Sequence, residues 1–200
     1  MRVLDAAAID AALDFPALIE AIDAALRAEI VLPVRHHHHI ERTDGNATHL
    51  IMPAWSAGAG GFLGVKIVNV FPGNAARSLP SVMGTYVLMD GDTGAPIAVM
   101  DGARLTLWRT AAASALAARY IAEAHASTHL MVGAGALAPF FIRAHRAVRP
   151  ISRTILWNKT RANAETLAAV LARDGIAVDV ADNLESAVRQ GDIVPTATLS

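Results

Sequence analysis

The sequence predicts an α/β chain in two parts: an N-terminal α+β sheet domain over residues 1–125, linking helix included, and an incomplete alternating domain over 126–200. Three observations carry this prediction. Strand-like stretches divided by turn signals fill the first half, strand and helix patterns alternate in the second, and a long alanine-rich stretch lies between them.

The first element is helical. Ala17, Leu18, Ala21, Ile22, Ala25 and Leu26 recur at three-and-four spacing, with Glu20, Asp23, Arg27 and Glu29 on the other face. Pro16 suits the first turn of that helix and Pro33 ends it. From there "VRHHHHIE", "THLIMPAW", "FLGVKIVNV", "GTYVLMD" and "APIAVMD" read as strands, with "RTDGN" and "DGDTG" as turns. They predict an antiparallel or mixed sheet with at least one helix against it. "ARLTLWRTAAASALAARYIAEAH" follows as one long helix whose small residues allow close packing.

Beyond it the pattern alternates. "THLMVGAG" is a strand entering a glycine turn, "LAPFFIRAHRAV" a helix, "RTILWNKT" a strand and "RANAETLAAVLARDG" a helix closed by Gly175. "IAVDV" is a further strand, "NLESAVRQG" a short helix and "DIVPTATLS" a strand and loop. Such alternation implies a parallel sheet with right-handed crossovers. Pro195 stands where a central strand needs an N–H, and this last strand would present an unpaired edge.

Composition excludes several classes of function. The chain has 200 residues, no cysteine and a net charge of -1. Disulfides, thiolate metal sites and cysteine nucleophiles are therefore absent. No cluster of lysines and arginines offers a footprint for nucleic acid. No apolar run reaches the roughly 18 residues of a membrane span. Asp5, Asp10 and Asp14 interrupt the N-terminal stretch where a signal peptide needs an apolar core. The expectation is a cytoplasmic protein without nucleic-acid or membrane partners.

"GAGALA", Gly133 to Ala138, follows an apolar strand and opens a helix. In a GxGxxG/A turn the first glycine makes the tight bend, the second admits a pyrophosphate to the backbone, and the small last residue lets helix and strand pack closely. Helix N-terminal amides then bind the anion. The second part thus reads as a partial Rossmann dinucleotide-binding domain. An acid about 20 residues past the glycines would accept from a ribose 2′-hydroxyl and repel a 2′-phosphate. None stands there. "WNKTR", Trp157 to Arg161, offers an amide, an ammonium, a hydroxyl and a guanidinium instead, all donors to a phosphate. NADPH is the favoured cofactor, with NADH possible; the competing reading makes Lys159 and Arg161 a solvated helix start.

With these residues in view, the chain resembles the ornithine cyclodeaminase and mu-crystallin family from about Pro33 to Ser200. "GVKIVNVFPGN", "LPSVMGTYVLMDGDTGAPIAVMDG", "LTLWRTAAASALAA", "VGAGALA" and "DIVPTATLS" carry the resemblance in the family's order. "ALAPFFIRAH" and "ATLS" look like bacterial reductases of Δ1-pyrroline-2-carboxylate, and "WNKTRANAE" looks like the NADPH-binding segment of mu-crystallin. The resemblance implies an NADPH-dependent reductase of cyclic imino acids, yielding proline or pipecolate. An NAD-dependent ornithine cyclodeaminase and a non-catalytic dinucleotide-binding remnant remain as alternatives.

Residue by residue, the resemblance implies that Arg35, Lys66 and Arg109 hold the substrate carboxylate, with Lys66 also catalytic. It assigns cofactor contacts to Ser81, Arg109, Thr110, Gly133, Ala134, Gly135 and Leu137, where many relatives carry glutamine. Asn158, Lys159, Thr160 and Asn163 fall at the 2′-phosphate, and Thr198 and Leu199 after the fourth strand. It further implies a homodimer formed through the sheet domain, and a family sequence that continues past "TATLS" to include its catalytic aspartate. Charge agrees with this assignment: a buried carboxylate needs cations, and each charged hydrogen bond contributes about 1.5–3 kcal/mol. Lys66 stands out even alone, because it interrupts an otherwise apolar strand.

"PVRHHHHIE" is the remaining signal. In a strand, Arg35, His37 and His39 share one face, while His36 and His38 share the other with Val34 and Ile40. A zinc site needs a third ligand, and neither His49 nor Glu41 is placed to supply it, so no metal is expected. His37 and His39 line the substrate site or form a solvated strand face.

Overall fold

The computed structural model describes residues 1–43 and 45–198. Contacts divide the chain into two compact units, one of Met1–Leu13 and Ala24–Thr106 and one of Asp14–Asp23 and Leu107–Ser200. The cut falls between Thr106 and Leu107. The reason is packing: Leu107, Trp108, Ala111 and Ala112 already belong to the core of the second unit.

The chain begins with β1 (Arg2–Leu4) and α1 (Ala6–Ala12), followed by α2 (Phe15–Arg27), β2 (Ile30–Val31), β3 (His36–Ile40), β4 (Ala47–Ser56) and β5 (Phe62–Val70). A short 3-10 turn over Pro72–Arg77 leads to β6 (Val82–Asp90), β7 (Pro96–Asp101) and α3 (Gly102–Ile121). The first unit is a sheet in the order β1-β7-β6-β5-β4-β2, with β3 also paired to β4. β1 runs parallel to β7 and the other pairs are antiparallel.

The predicted strands of this unit are all present, and β1, α1 and β2 are additional. Three residues of strand and seven of helix are too short for periodicity to reveal. Asp5 caps α1 by accepting from the Ala8 N–H at 2.8 Å, and Asp14 accepts from the Ala17 N–H of α2 at 2.9 Å. The "DGDTG" turn is tied by Asp90, which accepts from the Thr93 N–H and hydroxyl at 2.8 and 2.7 Å. The Thr93 hydroxyl holds the Asp90 carboxyl below its usual range.

The second unit contains β8 (Thr128–Val132), α4 (Ala138–Arg146), β9 (Arg153–Trp157), α5 (Arg161–Arg173), β10 (Asp179–Val180) and α6 (Leu184–Val188). Its sheet runs β10-β9-β8, all parallel. Met131, Leu156, Ile142 and Leu171 form a core with Ala111, Ala112 and Ala115 of α3, all but fully buried. Trp108 packs against Phe15 and Phe140, with ring centroids 4.5 and 5.6 Å apart. Arg149 closes α3 by donating to the carbonyls of Arg119, Ala122 and Glu123 at 2.7, 2.9 and 3.0 Å.

Two predicted strands come out weaker than expected. "IAVDV" contributes only the two residues of β10, and "DIVPTATLS" makes isolated parallel bridges to β8 at Ile193 and Thr196. Leu130 and Val132 donate to the carbonyls of Ile193 and Pro195 at 2.9 and 3.0 Å, and Ala197 donates back to Val132 at 2.9 Å. Pro195 has no N–H to return in the middle of that run, so the ladder is interrupted.

Candidate active site

β8 enters its turn through Gly133, whose φ is +109°, and a Cβ there would stand 2.4 Å from the Ala197 carbonyl oxygen. Only glycine fits this position. Gly135 differs, because a Cβ there would meet nothing within 4 Å. Packing does not demand a glycine at 135, and its missing side chain leaves the backbone open to the cleft beside it. Ala138, fully buried at the start of α4, allows the close helix-to-strand contact that the motif predicts.

Beside this turn lies a cleft of about 610 Å³. Ala134, Gly135, Asn158, Lys159, Thr160, Asn163 and Thr198 line it, as do Trp157 and Ala197. The last two were not singled out in the sequence; their position at the ends of β9 and of the 193–197 run is the signal that could have found them. Gly133 and Leu137 stand just outside the lining, with Leu137 at the N-cap of α4 making no side-chain capping bond. Leu199 lies outside the described residues.

Asn158 ties the site together. Its Oδ1 accepts from the Ala134 N–H at 3.2 Å and its Nδ2 donates to the Thr160 carbonyl at 2.8 Å, joining the glycine turn to the end of β9. Thr160 is the N-cap of α5, and its hydroxyl makes no capping bond. Lys159, Thr160 and Asn163 are exposed, and no carboxylate among the described residues lines the cleft. Arg161, the further phosphate donor read from "WNKTR", is engaged elsewhere. Its Nε donates to Glu165 at 2.7 Å one turn along α5, and its Nη1 binds Asp182.

The cations of the sheet unit follow from register. Lys66 opposes Met52 on β4 and Tyr86 on β6, and Tyr86 opposes Met100 on β7. β3 begins at His36, which pairs with Ile51, and Arg35 directly precedes it. Lys66 and Met52 share the face of His37 and His39, the face on which strand alternation would also set Arg35. Lys66 is half-buried and Arg35 exposed.

The histidines alternate as the strand requires. The rings of His37 and His39 lie 4.6 Å apart on the Arg35 face, whereas His36 and His38, 6.3 Å apart, occupy the other. His38 lies 6.2 Å from His49, whose Nδ1 is 2.7 Å from Asn69 Oδ1. Among the described residues no three His, Asp or Glu side chains gather to hold a metal ion. Ser81 is half-buried ahead of β6, its carbonyl accepting from Phe71 at 2.7 Å. Arg109 and Thr110 sit on α3 in the second unit, exposed and half-buried, and neither lines the dinucleotide cleft.

A polar nest in the second unit was not read from sequence. His129 of β8 and Thr154 of β9 oppose each other, and among the described residues neither ring nitrogen of His129 nor the Thr154 hydroxyl has a hydrogen-bond partner. His145 packs 4.9 Å from His129 and bonds the Phe141 carbonyl through Nδ1 at 2.8 Å. Burial, with His145 and Arg146 nearby, pushes His129 down to about 3 and keeps it neutral.

The model of the ornithine cyclodeaminase/mu-crystallin family matches residues 2–200, so the match includes the N-terminal strand and helices. An uncharacterised protein of Schizosaccharomyces pombe is 41% identical over 191 residues, 92% of this chain and 57% of that one. Delta(1)-pyrroline-2-carboxylate reductase of Paracoccus denitrificans is 37% identical over 179 residues, 88% of this chain and 55% of that one. The structure of Thermococcus litoralis Delta(1)-pyrroline-2-carboxylate reductase in complex with NADH and L-proline superposes with a TM-score of 0.85 at 29% identity. It covers 99% of this chain and 62% of that one. The chain thus spans between half and two thirds of the length of these relatives. The fold they share is a mixed α/β one with a Rossmann-type parallel sheet.

Proposed function

The chain belongs to the ornithine cyclodeaminase/mu-crystallin family, and from that premise we propose that it reduces cyclic imino acids with NADPH. The substrates are Δ1-pyrroline-2-carboxylate and Δ1-piperideine-2-carboxylate, and the products proline and pipecolate. The observation that carries the reading is the cleft at the glycine turn, where Gly135 leaves the backbone open and no carboxylate stands at the end of β9. Asn163, Lys159 and the Thr160 hydroxyl supply donors suited to a 2′-phosphate, while Asn158 orients the turn.

When bound, the reduced nicotinamide supplies the hydride that adds to the imine carbon. The protein's part is to hold the ring. Arg35, Lys66 and Arg109 are assigned to the substrate carboxylate, Ser81, Arg109 and Thr110 to the cofactor's reacting end, and Leu137, Thr198 and Leu199 to its remaining contacts. Cations around the carboxylate fix the ring and keep the protonated imine, the better hydride acceptor, in place. We further propose a homodimer assembled through the sheet unit. Val3, Val99, Val87, Val65 and Pro53 form an apolar row across five strands, opposite the face of Lys66, and all are exposed or half-buried.

The test is oxidation of NADPH and of NADH with each imine, beside ornithine with NAD. Faster turnover of either imine with NADPH is expected. Ammonia release from ornithine with no imine reduction would replace this reading with cyclodeamination.

A further inference from the structure

We propose that Tyr86 sets the ring size of the imino acid this site accepts, an inference that rests on the cyclic-imine reading above. Tyr86 is the direct cross-strand neighbour of Lys66 on the same face. Opposed Cβ atoms in such pairs lie about 4.5–5.5 Å apart, within reach of one small molecule. Its phenol is turned along β5. A Cβ built on Gly64 would fall 1.9 Å from the Tyr86 hydroxyl oxygen and 2.6 Å from the ring carbon that bears it.

Gly64 is buried, so its bare backbone is the seat of that ring, and residues 64 and 86 form a matched pair. Lys66 is thereby flanked unequally. Met52 on β4 is an unbranched, adaptable side chain, while Tyr86 on β6 is a planar ring held against backbone. A ring acid whose carboxylate meets the Lys66 ammonium can press Met52 aside, but it meets a fixed wall at Tyr86. Burial raises the phenol pKa, so the hydroxyl stays neutral and adds no charge beside the lysine. One methylene more or less against such a wall changes kcat/KM by about 10- to 200-fold.

The experiment measures kcat/KM with NADPH for the five-membered and six-membered imines in the wild type, Tyr86→Phe, Tyr86→Val and Gly64→Ala. The wild type is expected to favour the five-membered ring. Tyr86→Val should move the ratio about tenfold toward the six-membered one. Tyr86→Phe keeps the ring and should leave the ratio within about twofold. Gly64→Ala unseats the ring by another route and should also move the ratio. Competitive binding of L-proline against L-pipecolate reads the same preference in a variant too slow to assay. A ratio unchanged in both Tyr86→Val and Gly64→Ala, in an enzyme that reduces either imine, overturns the role of Tyr86 alone. A wild type that neither reduces an imine nor binds a ring acid overturns the cyclic-imine reading and this inference with it.

Discussion

β8 and β9 of the second unit are buried almost residue by residue, whereas β4, β5 and β6 of the first, longer and as apolar, bury little more than Ala47, Gly64 and Val68. Every hydrophobic cluster among the described residues lies in the second unit. The difference is one of architecture. Parallel strands carry helices on their faces and close their own core, while an antiparallel sheet can leave a face uncovered. The unit with the closed core holds the cleft at the glycine turn, and the unit with the open sheet carries Lys66 on one face and an apolar row on the other.

The two units differ most at the apolar row. Val87→Arg places a charge where a second copy is proposed to pack, and an unpaired buried charge costs about 3–5 kcal/mol. Light scattering on the eluting protein should find a monomer; an intact dimer would assign the interface to another surface. In the closed unit the sharpest contrast is between two glycines of one turn. Gly133→Val combines a positive φ with a backbone clash and should cost about 3 kcal/mol or more in denaturant unfolding. Gly135→Val should leave stability unchanged and weaken dinucleotide binding instead. Equal losses of stability would mean that both glycines serve the fold.

Lys66→Ala should lower kcat/KM for the imine by about 10- to 100-fold with dinucleotide affinity unchanged. Retained activity would remove Lys66 from the site. The pH response belongs to the closed unit. His129 is depressed to about 3 in the folded state, so the unfolded chain binds more protons below its ordinary value of 6.5. Stability is then full above pH 6.5 and declines as pH falls toward 3, by about 2 kcal/mol at pH 5. Burial depresses His145 in the same direction. His129→Leu should flatten the profile between pH 7 and 5, and an unaltered slope would assign acid sensitivity to other groups. The smallest effect is at the cleft rim, where Lys159→Ala should weaken NADPH about fivefold and leave NADH unchanged.

Much of this was legible because it is local. The strands announced themselves by turn residues, the glycine turn by its spacing, the missing acid at the end of β9 by inspection, and the two faces of the histidine run by a period of two. Tertiary contacts changed other expectations. Arg161 promised a phosphate donor until Asp182, distant in sequence, folded beside it. β1 and α1 are too short to show a period, and β1 takes its register from β7.

The longer elements, the glycine turn and the family motifs are written into short runs of neighbouring residues, which is why the chain alone revealed them. Long-range pairing set Lys66 between Met52 and Tyr86, seated the Tyr86 ring on Gly64, and brought His129 opposite Thr154 with no hydrogen-bond partner among the described residues. Those pairings join residues some 14 to 25 positions apart. Register, burial and desolvation fix them, and none of these leaves a periodic trace in the chain.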